Sequence, residues 1–270
     1  MNDSELEAVL KEQVDDMTSV SSSVIYEVIQ REGAHELARS FGALWWSGVI
    51  AGLAISMSVL CKGFLVATLP KASWVPAVSN LGYAVGFLIV ILGRMQLFTE
   101  NTITPILTVF IDPSAYNVKR LARLWTTVFV ANMTGCLLMA ALVVYANILP
   151  ALQLEGVLAV SRHYAEATAI QHITWGIPAG FLIASLVWIL PRMDGAGEVL
   201  VIVIVTYMIG VGGLSHVVAG STELFVLVLR GELNAWTAIV GGVAPALLGN
   251  VIGGTFTFSA LTYAQIKRDG

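Results

Sequence analysis

The chain has 270 residues, of which 57% are hydrophobic and only 12% are charged, and its mean hydropathy is +0.81. Soluble domains carry about 25% charged residues, so this composition excludes an ordinary soluble protein. The net charge of −4 comes mainly from the first 36 positions, which hold 9 of the 18 acidic residues, and it therefore gives no indication of nucleic-acid binding.

The first 40 residues precede any apolar run. Residues 1–20 are acidic and lack the apolar core of a cleavable signal peptide. They are predicted to form a flexible cytoplasmic tail. Residues 21–40 mix apolar and charged side chains, which is typical of an amphipathic helix on a membrane surface. A soluble helix packed on loops of the same protein fits the pattern equally well.

Six later segments are long and apolar enough to cross a bilayer, which takes about 20 residues in a helix. Five of them contain no Asp, Glu, Lys or Arg: 40–61, 72–93, 124–154, 167–191 and 233–266. The remaining segment, 199–222, is the fifth in chain order; it contains His216 and no residue of those four types. Residues 41–266 are thus predicted to form an all-α integral membrane domain of six transmembrane helices.

The placement of Lys and Arg predicts the orientation of these spans, since basic residues accumulate in cytoplasmic segments. With both termini in the cytoplasm, the cytoplasmic basic residues are Lys11, Arg31, Arg39, Lys119, Arg120, Arg123, Arg192, Lys267 and Arg268. The outer ones are Lys62, Lys71, Arg162 and Arg230. The two cysteines have no metal-ligand spacing, and neither a metal nor a cofactor is predicted.

A repeated Asn-x-x-Gly sequence predicts that the six spans form a three-plus-three inverted repeat. Asn132 in the third span recurs as Asn250 in the sixth, 118 residues later, and we expect both to have structural roles. The same offset places Leu97–Phe98 of the second span on Ser215–His216 of the fifth. Transporters built from such repeats carry their sites at the repeat interface, often on interrupted helices.

Both matched segments contain residues that break helices. The second span meets the polar sequence TENT at 99–102 and then Pro105, and the fifth contains three glycines within 210–213 followed by Gly220. Irregular backbone at membrane depth is tolerated where it is buried in protein or lines a water-filled path. The sequence therefore predicts a pore with two facing breaks, and two helices that are merely kinked remain the alternative.

Glycines four residues apart predict close helix packing. Such pairs occur at Gly48 and Gly52, and again at Gly176 and Gly180. The sequence does not indicate whether they pack within one protomer or between protomers.

Three stretches resemble the formate/nitrite transporter family: GRMQLFTENT (93–102), GGLSHVVAGS (212–221) and GNVIGG (249–254). The resemblance covers about residues 25–266 and is greatest to the YfdC-type branch. It implies an aquaporin-like channel domain with interrupted second and fifth helices, assembled as a homopentamer in the bacterial inner membrane. Each protomer would hold its own pore for small monovalent anions such as formate or nitrite.

The resemblance also implies a site. His216 matches a histidine, and Thr99 a threonine, that meet in the central chamber of relatives. Leu97 and Phe98 match the apolar residues of an LFT motif, and Ile209 falls where an aromatic constriction residue often stands. A histidine can lend and recover a proton near neutral pH, which would let a weak acid avoid crossing an apolar slit as a bare anion. In the alternative, His216 is satisfied by backbone carbonyls and only pins the broken helix.

The chain departs from the family pattern around this site. Gln96 and Glu100 flank the LFT motif where relatives have an acidic and a small residue, Ser215 replaces a glutamate, and Gly220 replaces an asparagine. A lysine that relatives carry near the outer start of the fourth span has no counterpart that we can place.

Glu100, beside Asn101 in the predicted pore, would repel anions if ionised. A charge at that depth costs about 2.5–3.5 kcal/mol, so we expect it to pair with Arg94 or with capping N–H groups, or to be protonated. Alternatively, Glu100 and Glu223 are N-terminal residues of the second half-helices and interact with the helix dipoles.

The favoured function is a channel or transporter for small monovalent weak-acid anions, with small-molecule substrates, lipids and copies of itself as partners. A pore for a neutral or cationic solute, and a non-conducting pentameric scaffold or sensor, remain alternatives. An enzyme is not predicted, because the sequence has no nucleophile–base pair, metal cluster or phosphate-binding loop.

Overall fold

The computed structural model describes residues 21–269, and every regular element in that range is a helix. The predicted acidic tail, 1–20, lies outside the described residues. The first half of the chain forms α1 (Ser22–Ala38), α2 (Phe41–Thr68), α3 (Val75–Ser79), α4 (Ala84–Leu92), a 3-10 turn (Glu100–Thr102), α5 (Thr104–Ile111) and α6 (Ala115–Tyr145).

The second half repeats a similar order of elements. It forms α7 (Ala151–Ala165), α8 (Ala169–Ile189), a 3-10 turn (Leu190–Arg192), α9 (Gly195–Val211), α10 (Val217–Leu229), α11 (Ala235–Thr237), a π-helix (Ala238–Val243), α12 (Ala244–Val251), a second π-helix (Ile252–Ser259) and α13 (Ala260–Asp269).

Five stretches of helix in the described range are long and apolar enough to cross a membrane: Phe41–Thr68, Val75–Leu92, Ala115–Tyr145, Ala169–Arg192 and Ala235–Arg268. The fifth predicted span consists of two shorter apolar helices, α9 and α10, separated by 212–216. The second span is also interrupted, because the backbone leaves the helix after Leu92. The protein is therefore an all-α, multi-pass membrane protein with both predicted breaks.

Helix α1 and the C-terminal helix α13 lie on the same side of the molecule, called the terminal side below. Helix α1 packs on α5 and α13, and it buries Ile25 and Ile29 against Ile103 and Leu107. Helix α6 contacts α1 and is 31 residues long, which is enough to cross to the opposite side, called the far side, where α7 follows it. Helix α1 thus packs on the protein itself, and its position at a membrane surface stays a prediction.

The glycine pairs pack helices within the protomer. Gly52 in α2 lies against the backbone of Asn132 and Gly135 in α6, and Gly180 in α8 lies against the backbone of Asn250 in α12. This close approach places the two asparagines next to the interrupted segments.

Replacing Gly52 with valine is expected to lower thermal stability markedly, because a Cβ there would overlap the carbonyl oxygen of Asn132. Overpacking typically costs about 1–3 kcal/mol, and rigid backbone leaves little room for relief. Gly42→Ala is the matched control on the same helix, since a Cβ at Gly42 meets nothing within 4 Å. Equal midpoints of thermal unfolding in detergent for the two variants would contradict this packing.

Candidate functional site

Asn132 holds the broken second span in place. Its Oδ1 accepts a hydrogen bond from the Phe98 N–H at 2.9 Å, and its Nδ2 donates to the carbonyls of Gly48 at 2.8 Å and Gln96 at 2.9 Å. The side chain is fully buried. It therefore replaces partners that an unbroken helix would have supplied to the backbone of residues 96–98.

Asn250 makes the equivalent three bonds in the second half. Its Oδ1 accepts from the Val217 N–H at 2.9 Å, and its Nδ2 donates to the carbonyls of Gly176 at 2.9 Å and Ser215 at 2.7 Å. The two breaks are thus supported by the same arrangement of side chain and backbone.

These bonds correct the predicted alignment of the two halves by one residue. Phe98 is equivalent to Val217, so His216 corresponds to Leu97 and not to Phe98. The predicted register was wrong because the second half has one residue fewer between its broken segment and its asparagine.

Thr99 and His216 meet between the two breaks. Thr99 Oγ1 lies 2.8 Å from His216 Nε2, and both side chains are buried. His216 is also the N-cap of α10, where its Nδ1 accepts the Ala219 N–H at 3.3 Å. Since Nδ1 acts as an acceptor, the neutral ring carries its hydrogen on Nε2 and donates it to Thr99.

Two aromatic side chains pack in sequence against the histidine. The ring of Phe87 meets that of His216 edge-on at a centroid distance of 4.9 Å, and Tyr83 lies 5.5 Å from Phe87. Ile209 is fully buried, and the next residue, Gly210, packs against the Tyr83 side chain. Sequence reasoning missed Phe87 and Tyr83, because aromatic residues in an apolar span give no sign of the face they occupy.

A cavity of about 940 Å³ opens on the terminal side of the site. It is lined by α1, by the segment from Ile91 to Thr104, and by residues between Val187 and Glu198. Leu97, Glu100 and Asn101 are among the lining residues, and Phe98 is buried beside Trp125. Glu100 therefore lies at the inner end of this cavity and not at the centre between the breaks.

The pairing of Arg94 with Glu100, one of the predicted options, is not found. Arg94 has a left-handed backbone (φ 48) and an exposed side chain whose Nη1 lies 3.6 Å from Glu32 in α1. Glu100 Oε1 is buried and has no hydrogen-bond partner among residues 21–269. Glu100 begins the 3-10 turn before α5, and it makes no side-chain cap bond to α5.

Gln96 links α1 to the broken segment. Its Nε2 donates to Glu36 at 2.8 Å, and its Oε1 accepts from Asn101 Nδ2 at 3.1 Å. Glu36 is also paired with Arg39 at 3.1 Å, and the Asn101 carbonyl accepts from Trp125 Nε1 at 2.8 Å. Gln96 is thus part of a hydrogen-bonded chain that could not be inferred from its position in the motif.

Two further departures from the family pattern are explained by neighbouring side chains. His172 Nδ1 lies 3.0 Å from Ser215 Oγ, and Tyr164 packs on the His172 ring at 4.7 Å. Tyr164 also fills the space beside Gly220, where any Cβ would overlap its hydroxyl. The lone histidine in the run 167–191 was visible in the sequence, but nothing indicated that Tyr164 would reach Gly220.

Glu223 is buried in the middle of α10, as its seventh residue. The alternative, in which Glu223 is an N-terminal residue that interacts with the helix dipole, is therefore wrong. The preceding residue, Thr222, is hydrogen-bonded to Ser56 in α2 at 2.8 Å, so α10 packs on the helix that also carries Lys62. Lys62 Nζ lies 5.7 Å from the centre of the Tyr83 ring. Glu223 is therefore buried in a helix that packs on α2, the helix of Lys62.

An ion pair on the far side holds α7, which carries Tyr164. Arg162 Nε and Nη2 donate to the two carboxylate oxygens of Glu232 at 2.8 and 3.1 Å. The hydrogen bond from Arg162 lowers the pKa of Glu232 below its usual value. The stability that this pair contributes is present above the unfolded-state pKa and is lost as the pH falls through the lower folded-state value.

Comparisons with known proteins found one matching family model and several similar proteins. The family model described as formate/nitrite transporter matches residues 23–264. Inner membrane protein YfdC of Escherichia coli (strain K12) is 37% identical over 246 residues, which cover 91% of this chain and 79% of the relative.

Two solved structures share the fold. An FNT family ion channel superposes with a TM-score of 0.77 at 17% identity, covering 89% of this chain and 98% of that one. A pentameric formate channel with formate bound superposes with a TM-score of 0.71 at 20% identity, covering 85% of this chain and 100% of that one.

Proposed function

This chain belongs to the formate/nitrite transporter family, and from that premise we propose that it conducts formate, nitrite or a similar small weak-acid anion, with His216 as proton partner. Membership makes it a membrane channel or transporter and not an enzyme. The observation that carries the proposal is the buried contact of 2.8 Å between Thr99 and His216, which joins the two interrupted spans.

Thr99 is the proposed hydrogen-bond donor to the anion. The His216 Nε2–H already points at Thr99 Oγ1, so the hydroxyl hydrogen of Thr99 is left for another acceptor. Among the described residues, this hydroxyl has no second partner. A small anion at this point would gain a hydrogen bond that offsets part of its desolvation cost.

His216 is the proposed source of the proton. A proton added to the neutral ring goes to Nδ1, because Nε2 already carries one; it displaces the hydrogen bond from the Ala219 N–H, and the ring becomes an imidazolium. The Nε2 hydrogen then passes to Thr99 while the hydroxyl hydrogen of Thr99 passes to the anion. The products are a neutral weak acid and a neutral His216 with its hydrogen on Nδ1.

The apolar residues around the pair suit such a neutral species. Leu97 borders the terminal-side cavity, while Ile209 and Phe87 are fully buried, and Phe87 packs on the His216 ring. A neutral acid crosses apolar surroundings at a much lower cost than its anion. These side chains are proposed to favour weak acids over permanently charged ions.

The assembly and orientation are part of the proposal. A homopentamer is supported by the shared fold with the solved pentameric channel, and large apolar side chains such as Trp46 and Phe256 are exposed on the protomer, where lipid or a neighbouring copy would cover them. The excess of basic residues in the segments predicted to be cytoplasmic, relative to the outer ones, supports cytoplasmic termini. The similarity to an inner membrane protein supports a bacterial inner membrane. The proposed organisation is a tail (1–20), a surface helix (21–40) and a channel domain (41–266).

A neutral or cationic solute is the second candidate, because Glu100 lines the terminal-side cavity and a second carboxyl group, that of Glu223, is buried within the membrane-spanning part of the protein. Uptake into proteoliposomes at pH 6 to 8 separates the candidates. We expect formate and nitrite to enter faster than into protein-free liposomes, and methylammonium and urea to enter at the protein-free rate. The reverse pattern would favour the second candidate.

A further inference from the structure

Glu100 occupies the junction between the terminal-side cavity and the Thr99–His216 pair. It follows Thr99 directly in the chain, and it lines the cavity together with Leu97 and Asn101. An anion that moves from this cavity toward Thr99 therefore comes close to this carboxyl group. The protonation state of Glu100 therefore changes the charge that the anion meets next to Thr99.

The other charged groups of the cavity leave Glu100 without a counter-ion. Arg39 is paired with Glu36 at 3.1 Å, and Arg94 interacts with Glu32 at 3.6 Å. The titratable groups that line the cavity with Glu100 are Arg31, Glu32, His35, Glu36, Arg39, Arg94 and Glu198. In the described part of the chain, none of these arginines forms an ion pair with Glu100.

The orphaned oxygen of Glu100 points to the same conclusion. Its buried Oε1 has no donor from residues 21–269, so an ionised carboxylate would be neither paired nor hydrogen-bonded at that atom. Burying such a charge is costly, whereas the protonated carboxyl is neutral and can itself donate a hydrogen bond. Glu100 thus has two states with opposite consequences for an anion.

We propose that Glu100 is a proton-operated selectivity residue: its carboxylate excludes anions from the terminal side, and its neutral carboxyl admits them to Thr99 and His216. This inference rests on the proposed function. A unit charge a few ångströms from the path changes the rate of anion entry by about tenfold or more at an intermediate dielectric.

The test is the ratio of formate uptake by Glu100→Gln to uptake by the wild type, measured in proteoliposomes with the terminal side at pH 6 to 9. Glutamine keeps the shape of the side chain and cannot ionise. We expect a ratio near one at pH 6 that rises to about ten or more at pH 9. Because both proteins share the proton requirement of His216, the ratio isolates the contribution of Glu100.

Two further variants make the result decisive. Glu100→Gly, which removes the carboxyl group altogether, should give the same rise in the ratio. Glu198→Gln neutralises another carboxylate of the same cavity. The ratio of its formate uptake to that of the wild type should stay near one at every pH. A melting curve of each purified variant shows that the compared proteins are folded.

Two outcomes would overturn the proposal and differ in what they imply. Formate uptake with a constant ratio across the pH range would sink the role of Glu100 while leaving the proposed function intact. Absence of formate uptake in the wild type and in both Glu100 variants would remove the proposed function, and the inference with it.

Discussion

Formate uptake at pH 6 should fall by about 100-fold when His216 is replaced with alanine, which is at the lower end of the effect of losing a general acid–base group. The substitution removes the donor to Thr99 and the only group in the Thr99–His216 contact that can hold an extra proton. The anion would then have to pass as a charged species through apolar surroundings. Uptake is measured in proteoliposomes against protein-free liposomes.

His163→Ala is the matched control for this prediction. His163 lies at the end of α7 with a side chain that is 84% exposed, so its loss should leave uptake unchanged. Thr99→Ser, which keeps the hydroxyl group, should retain most of the uptake, while Thr99→Val should lose it. Uptake by His216→Ala within twofold of the wild type would refute the proton-partner role.

Replacing Asn132 with leucine should destabilise the protein by about 2–6 kcal/mol, since two backbone groups of the broken segment would be left buried without a partner. The Phe98 N–H and the Gln96 carbonyl lie in irregular backbone and have no helical bond to fall back on. The measurement is the midpoint of thermal unfolding in detergent.

Asn132→Asp sharpens this prediction. The carboxylate keeps an acceptor for Phe98 but places negative charge against the carbonyl oxygens of Gly48 and Gln96. It should therefore be at least as destabilising as leucine. Thr134→Val serves as the control on the same helix, because the Thr134 hydroxyl bonds only to the carbonyl of Val130 one turn earlier. If Asn132→Asp unfolded at the same temperature as the wild type, the hydrogen bonds of Asn132 could not be what stabilises the broken segment.

Much of this architecture could be predicted from the sequence. Long charge-free runs require burial in lipid or protein whatever their detailed packing, so the all-α membrane class followed from composition alone. The breaks were visible because glycine and polar residues interrupt apolar runs at 99–102 and 212–213. The pairing of Asn132 and Asn250 was visible as a repeat, but the hydrogen bonds that shift the register by one residue were not.

The details of the charged groups could not be predicted, because they depend on contacts between distant parts of the chain. Arg94 was matched with Glu100 on sequence spacing, yet the left-handed backbone at Arg94 directs it to Glu32 in α1, 62 residues earlier. Tyr164 and Gly220 fit each other across 56 residues without any shared motif. Such complementarity emerges only when helix packing is known.

The most direct test of the central claim is to record formate uptake and lumenal pH together in wild-type proteoliposomes after an external formate pulse at equal starting pH. Transfer of a proton from His216 to the anion predicts that each formate above the protein-free background enters with one proton. The lumen should therefore acidify in step with uptake, and an imposed membrane voltage should leave the rate unchanged. Formate entry that responds to voltage and leaves the lumen unacidified would contradict the account.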